Sequence, residues 1–276
     1  MTGGKMIDPG KDAGENLRKL REQKPLIHNI TNYVVMNFSA NSLIAMGALP
    51  VMAHAENEVE EMASIAGALV INIGTLSDPW IRAMLLAGKT ANKNNIPIIL
   101  DPVGAGATSL RTNTAKRLAK ELDIAVIRGN ASEVLSLSGE ESGTKGVDSI
   151  HSVEDAAQAA VELALELDSV IAITGENDLV TNGDTVFRVH NGHKLMGMVT
   201  GSGCAATAAI AAFLAVNDNF VEAAAFALGY FGLAGQWSAI RNTRPGSFKV
   251  GLIDSLYEIG PDDLQTGLKL EVMHET

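Results

Sequence analysis

The stretch Val199-Thr-Gly-Ser-Gly-Cys-Ala-Ala-Thr-Ala208 joins the residue types best suited to chemistry in this 276-residue chain. Two glycines one residue apart, Gly201 and Gly203, lead into an alanine-rich apolar run that continues past Leu214. The order predicts a strand at Lys194 to Val199, a turn, and then a helix. A helix start leaves backbone N–H groups unpaired and carries partial positive charge, so residues 202–204 are placed to cradle a phosphate. Cys204, the only cysteine, falls in the first helical turn, where the field favours thiolate over thiol and lowers the thiol pKa. An anion cradle and a base or nucleophile are thus offered together. The same residues also fit a tight turn followed by a small buried thiol. They match the dinucleotide pattern G-x-G-x-x-A as well, with Glu222 near the distance of the ribose-binding acid. Asn219 to Ala227 reads as helix, however, so no second strand presents that acid.

Short, nearly continuous apolar runs are the elements that must position this segment. Ala68 to Ile73 and Pro97 to Leu100 fit strands buried on both faces, as in a parallel sheet. Further strands are expected at Pro25 to Asn29, Leu49 to Met52, Ile124 to Ile127 and Ser169 to Thr174, with a hairpin over Leu179 to His190 turning at Asn182-Gly183-Asp184. Helices are expected over Ala13 to Gln23, Val34 to Ala45 and Glu58 to Ala66. Another runs to Asn94, with Asp78 as N-cap and Pro79 at the first helical position. Leu110, Leu118 and Leu122 share one face of a helix, a short helix opens at Arg128 to Glu133, and Ser152 caps a helix reaching Leu167. After Cys204 the chain is helical to about Ala239, broken near Asn217 to Asn219. Glu140 to Asp148 reads as a surface loop. This β-α alternation means a largely parallel sheet covered by helices on both faces.

In such a sheet, ligands bind beyond the carboxyl ends of the strands. The polar residues there are Asn29, Asn32, Asn72, Asp101, Arg128, Asn130, Glu133, Thr174 and Glu176, beside Met52, Gly74 and Gly201 to Cys204. Asp101 and Glu133 are candidates for a Mg²⁺ site, which takes a few carboxylates plus phosphate oxygens. Arg128 and Thr174 are candidate phosphate contacts. Each residue has an ordinary role too: Asp101 before Pro102 suits a turn, and Glu133 suits a helix N-terminus. Their joint placement at strand ends favours function. No G-x-x-x-x-G-K-[ST], H-E-x-x-H or cysteine cluster occurs, so neither a P-loop nor a zinc site is expected. His54, His190 and His193 read as surface or hairpin residues.

Composition bounds the partners. With 46% hydrophobic residues the chain can bury a large core, and residues 13–276 are expected to form one domain behind a flexible tail at 1–12. A net charge of −11 argues against nucleic-acid and anionic-membrane surfaces. One cysteine cannot form an internal disulfide, and neither a signal peptide nor a membrane span is visible, so the cytoplasm is expected.

Seven segments together carry a resemblance: Asn29-Ile-Thr-Asn32, Gly47-Ala-Leu-Pro-Val-Met52, Asn72-Ile-Gly-Thr75, Asp101-Pro-Val-Gly-Ala-Gly-Ala-Thr108, Arg128-Gly-Asn130-x-x-Glu133, Ile173-Thr-Gly-Glu176 and Thr200-Gly-Ser-Gly-Cys204. In this order, over roughly residues 25 to 250, they resemble the hydroxyethylthiazole kinases of thiamine salvage. The resemblance implies a ribokinase-like three-layer αβα sandwich and ATP-dependent phosphorylation of the hydroxyl of 4-methyl-5-(2-hydroxyethyl)thiazole with Mg²⁺. It implies that Asn32, Met52 and Gly201 touch the thiazole, that Arg128, Thr174, Ser202 and Gly203 serve ATP, and that Asp101 and Glu133 serve metal and phosphates. Cys204 stands where the wider ribokinase-like group usually has an Asp base. A homotrimer with interface active sites is also implied. Kinases for pyridoxal or hydroxymethylpyrimidine are the related alternative, and a catalytically silent nucleotide-binding regulator is the alternative from another class.

Overall fold

The computed structural model describes residues 8–138 and 153–274. Nine strands form one sheet in the order β2-β1-β3-β4-β5-β6-β7-β8-β9. They are β1 Leu26–Ile30, β2 Leu49–Val51, β3 Ala68–Asn72, β4 Ile98–Asp101, β5 Val126–Gly129, β6 Val170–Ile173, β7 Asp178–Thr181, β8 Thr185–Val189 and β9 Leu270–His274. β2 through β6 run parallel, and β7, β8 and β9 are antiparallel additions at the far side.

Strand alternation divides the core in two. In β3, Ala68 and Val70 join one cluster, while Leu69 and Ile71 join the other. Successive side chains point to opposite faces, so burying both faces demands an unbroken apolar run. One face is covered by α1 Pro9–Gln23, α2 Met36–Met46, α8 Ser202–Leu214, α9 Phe220–Arg241, α10 Pro245–Glu258 and α11 Pro261–Gly267. The other is covered by α3 Val59–Ile65, α4 Asp78–Lys93, α5 Ser109–Glu121, α6 Ala131–Leu135 and α7 Val153–Leu167. The arrangement is the expected αβα sandwich with a largely parallel sheet. α8 is apolar all round because it is buried all round: it packs on β1, β3 and β4 from one side and on α2 and α9 from the other. Its alanines permit that close approach.

Several local expectations change. Lys194–Met198 is a 3₁₀ turn, not a strand. The sheet edge beside β8 is taken by β9, which leaves this segment no partner. The His193 ring instead accepts from Leu195 N–H and starts the turn. The first helix begins at Pro9, capped by Asp8, four residues before the expected Ala13. α4 is capped at Ser77, which moves Asp78 into the first helical position. Leu110 is 56% exposed while Leu118 and Leu122 are buried, so the three do not share a face. α10, α11 and β9 were not anticipated, although α10 and α11 both open on a proline, a helix-start signal. The expected tail at 1–12 is helical from Pro9 onward, and its residues before Asp8, the expected loop Glu140 to Asp148 and the cap Ser152 lie outside the described residues. Among the described residues no helix is long and apolar enough to cross a membrane.

Candidate active site

The parallel strands end at the N-terminus of α8, and a buried polar cluster fills the junction. Asn72 closes β3 and Asp101 closes β4, paired side by side in the sheet. The Asn72 amide donates to Asp101 Oδ2 at 2.6 Å and to Cys204 Sγ at 3.2 Å. Its Oδ1 accepts from Asn32 Nδ2 at 2.8 Å and from Gly74 N–H at 3.0 Å. Asn32 Nδ2 also lies 3.6 Å from Cys204 Sγ. Thr207, one turn beyond Gly203, donates to Asp101 Oδ2 at 2.9 Å. Asn32, Asn72, Asp101 and Thr207 are all buried. Gly74 must be glycine here, since a Cβ would fall 2.6 Å from Asn32 Nδ2.

The field at Cys204 differs from the expectation. Burial pushes the thiol up to about 12, and the negative charge of Asp101 pushes the same way. Asn72, Arg128 and Asn32 pull it down, but less. The helix start does not lower this thiol, because desolvation of a buried thiolate outweighs the terminal dipole. Burial likewise raises Asp101, while Arg128 and Thr207 oppose it and Glu133 adds to it.

A second group forms the wall of a cavity of about 810 Å³ next to this cluster. Arg128, Thr174, Ser202 and Gly203 line it, with Met196, Leu228 and Phe231 as apolar walls. The Arg128 guanidinium donates to Thr174 Oγ1. It packs so close to Gly203 that a Cβ there would lie 2.7 Å from Nη1. Any larger residue at 203 would push the Arg128 guanidinium out of this position. Gly201 has φ +86°, and a Cβ on it would meet Val35 of the α2 N-cap at 2.6 Å. Ser202 N–H is already bonded to Val199 O at 3.1 Å, so the expected three-amide cradle is reduced to Gly203 and Cys204.

Glu133 does structural work as well. Its carboxylate accepts from Gly104 N–H at 2.8 Å and from Asn130 N–H at 3.0 Å, the latter completing a capping box with Asn130. It thereby pins the loop after Asp101 to the start of α6. Among the described residues no group of three or more His, Cys, Asp or Glu side chains could hold a metal unaided. Asp101 Oδ1 is nonetheless buried without a hydrogen-bond partner, and the nearby Glu133 charge pushes the Asp101 pKa upward. The residues fit a Mg²⁺ completed by phosphate oxygens.

Met52 stands apart, following edge strand β2 and half-buried. Buried His28 bonds the next carbonyl, Ala53 O, through Nε2 at 2.8 Å. His190, exposed at the end of the β7–β8 hairpin, and half-buried His193 both line the cavity. Thr207 was missed in the sequence, although a hydroxyl one turn into an alanine helix was a usable signal.

The sequence profile of the Hydroxyethylthiazole kinase family matches residues 17–262. A hydroxyethylthiazole kinase from Desulfotalea psychrophila is 58% identical over 94% of this chain and 95% of its own length. One from Chloroflexus aurantiacus is 51% identical over 91% of this chain and 94% of its own. The solved hydroxyethylthiazole kinase protein of Pyrococcus horikoshii OT3 superposes with a TM-score of 0.89 at 44% identity, covering 96% of this chain and 100% of that one. A pyridoxal kinase from Staphylococcus aureus, at 18% identity and TM-score 0.59, shares the fold alone. With its cavity, its buried amide–carboxylate–thiol cluster and these relatives, the chain belongs to the hydroxyethylthiazole kinase family.

Proposed function

We propose that the chain transfers the γ-phosphoryl group of ATP to the hydroxyl of 4-methyl-5-(2-hydroxyethyl)thiazole. The observation that carries this reading is the place of the α8 N-terminus, between the 810 Å³ cavity and the buried cluster around Asn72. ATP enters the cavity, its phosphates toward Arg128, Thr174, Ser202 and Gly203. The thiazole lies on the opposite side of α8, toward Asn32, Met52 and Gly201. The alcohol oxygen then bonds to the γ-phosphorus as the bond to the bridging oxygen breaks and ADP leaves. Such transition states are loose, so positioning and charge neutralisation contribute most. The N–H groups of Gly203 and Cys204 face the transferring phosphoryl, and Arg128 offsets its charge. In its thiolate form, Cys204 accepts the alcohol proton late and becomes the thiol, its sulfur held by Asn72 and Asn32.

Asp101 and Glu133 are the residues that would hold Mg²⁺. When bound, it would neutralise the phosphate oxygens and offset the Asp101 charge that raises the Cys204 thiol. The proposal includes a single domain behind a short N-terminal tail, a cytoplasmic location and a homotrimer with acceptor sites at the interfaces. The test is ATP consumption by the purified protein with the thiazole alcohol and Mg²⁺, with product mass measured. A mass gain of one phosphate is expected, with pyridoxal and hydroxymethylpyrimidine used far less. Full turnover in excess EDTA would sink the metal assignment, and preference for pyridoxal would sink the substrate.

A further inference from the structure

Asn72 ends a strand that is otherwise Ala-Leu-Val-Ile, and it is 1% exposed. A primary amide buried there is unfavourable unless its two donors and its acceptor are used. All are, and each bond leads into the reaction centre. The donors reach Asp101 Oδ2 and Cys204 Sγ, and the acceptor takes Asn32 Nδ2 and Gly74 N–H. The orientation of the amide is fixed by chemistry: reversed, it would set its oxygen against the Asp101 carboxylate and its N–H groups against two donors.

We propose that Asn72 is the positioning residue that fixes the Cys204 sulfur against the Asp101 carboxylate and registers both with the acceptor-side Asn32. This rests on the reading of Cys204 as the proton acceptor. Its effect falls chiefly on the sulfur. Asp101 keeps a second anchor in Thr207, whereas without Asn72 the sulfur retains Asn32 as an amide donor, at 3.6 Å against 3.2 Å. A thiol on the first turn of α8 can rotate about χ1, and the two amides select the rotamer that faces the strand ends.

Kinetics of Asn72→Ala, Asn72→Asp, Cys204→Ala and the double variant Asn72→Ala with Cys204→Ala test this. Asn72→Asp is nearly isosteric and keeps the acceptor bonds to Asn32 and Gly74 while losing both donations. Contacting residues couple, so the loss in kcat from Asn72→Ala should shrink by about tenfold or more once Cys204 is absent. KM for ATP should stay within about threefold, because Asn72 does not face the nucleotide cavity. Asn72→Asp sets a carboxylate oxygen against buried Asp101, so it should melt below wild type and also lose kcat. Losses that multiply independently, or an Asn72→Asp variant with wild-type kcat, would overturn the proposal. A wild-type protein without kinase activity would instead overturn the functional reading beneath it.

Discussion

At the scale of the residue, the unexpected fact is a base candidate whose proton affinity is too high. Burial and Asp101 push the Cys204 thiol up to about 12, so little thiolate exists at neutral pH in this state. The sulfur then accepts the alcohol proton only from its minor thiolate form, late in a loose transition state. Cys204→Ala should therefore lose about 10² to 10⁴-fold in kcat, the usual range for a general base, and keep measurable turnover. Cys204→Asp should be active. A carboxylate begins near a pKa of about 4, so even a large upward push leaves it far more ionised than the thiol. Steady-state kinetics on folded variants, with intact-mass measurement, check both. An inactive Cys204→Asp, or a trapped phosphocysteine, would show that the sulfur attacks phosphorus itself. His28 is a separate titration. Burial holds its pKa below the ordinary value, opposed by the bond to Ala53 and the charge of Glu58. The unfolded chain therefore binds its proton more readily. The stability that comes from keeping His28 neutral is fully present above the unfolded value of about 6.5 and is lost as pH falls toward the folded one. Melting temperature should drop between pH 7.5 and 5.5, and drop less in His28→Gln, whose amide can still donate to Ala53 O. Equal slopes for the two proteins would refute this.

At the scale of the element, one carboxylate serves two purposes that can be separated. Glu133 closes the α6 capping box and fastens the Asp101 loop through Gly104 N–H. Glutamine keeps one of these two acceptor bonds, sets its NH₂ against the other backbone N–H, and carries no charge. Glu133→Gln should melt a few degrees below wild type, less far than Glu133→Ala, while requiring several-fold more Mg²⁺ for half-maximal rate. Glu133→Ala should also lose stability, by about 1 kcal/mol per lost acceptor bond. A Mg²⁺ titration beside thermal melts distinguishes them, and an unchanged Mg²⁺ requirement in Glu133→Gln would remove Glu133 from the metal site. The same distinction explains what was legible in the sequence. Ala68 to Ile73 announced a doubly buried strand by composition alone, and the residues after it could be placed at the ligand end before any coordinates. Lys194 to Val199 was misread because a local strand pattern cannot reveal that β9, some seventy residues later, occupies the edge beside β8. The apolar wall from Leu228 and Phe231 was equally hidden, since those residues are indistinguishable from core until α9 is packed. Asp101 and Cys204 were found by type. Their connection through Asn72 depends on side-chain directions that spacing does not encode.

At the scale of the whole molecule, the sheet divides the work. β5 to β8 bring Arg128, Thr174 and the cavity to one side of α8, while β1 to β3 bring Asn32, Asn72 and Met52 to the other. The cavity half, where we place the nucleotide, is walled by the 3₁₀ turn and α9. The other half, the proposed acceptor side, ends at β2, a three-residue edge strand with Leu49 51% exposed. α2 packs on β2, and the exposed Tyr33, Val34 and Ile44 lie on or just before that helix. Exposed apolar side chains at and near a sheet edge are a liability for a lone molecule, and such surfaces commonly mark an interface. The proposed trimer answers both needs: a neighbouring copy covers the edge and closes the acceptor site near Met52. Sedimentation of the wild-type protein should then give the mass of three chains. Leu49→Glu places a charge in the covered face, where an unpaired charge is strongly unfavourable, and should shift the protein toward monomer. In that monomer KM for the thiazole alcohol should rise more than KM for ATP, because the nucleotide cavity is built within one chain. A monomeric wild type with full activity would refute the interface site. A Leu49→Glu monomer with both KM values unchanged would show instead that the edge assembles copies without completing the catalytic centre.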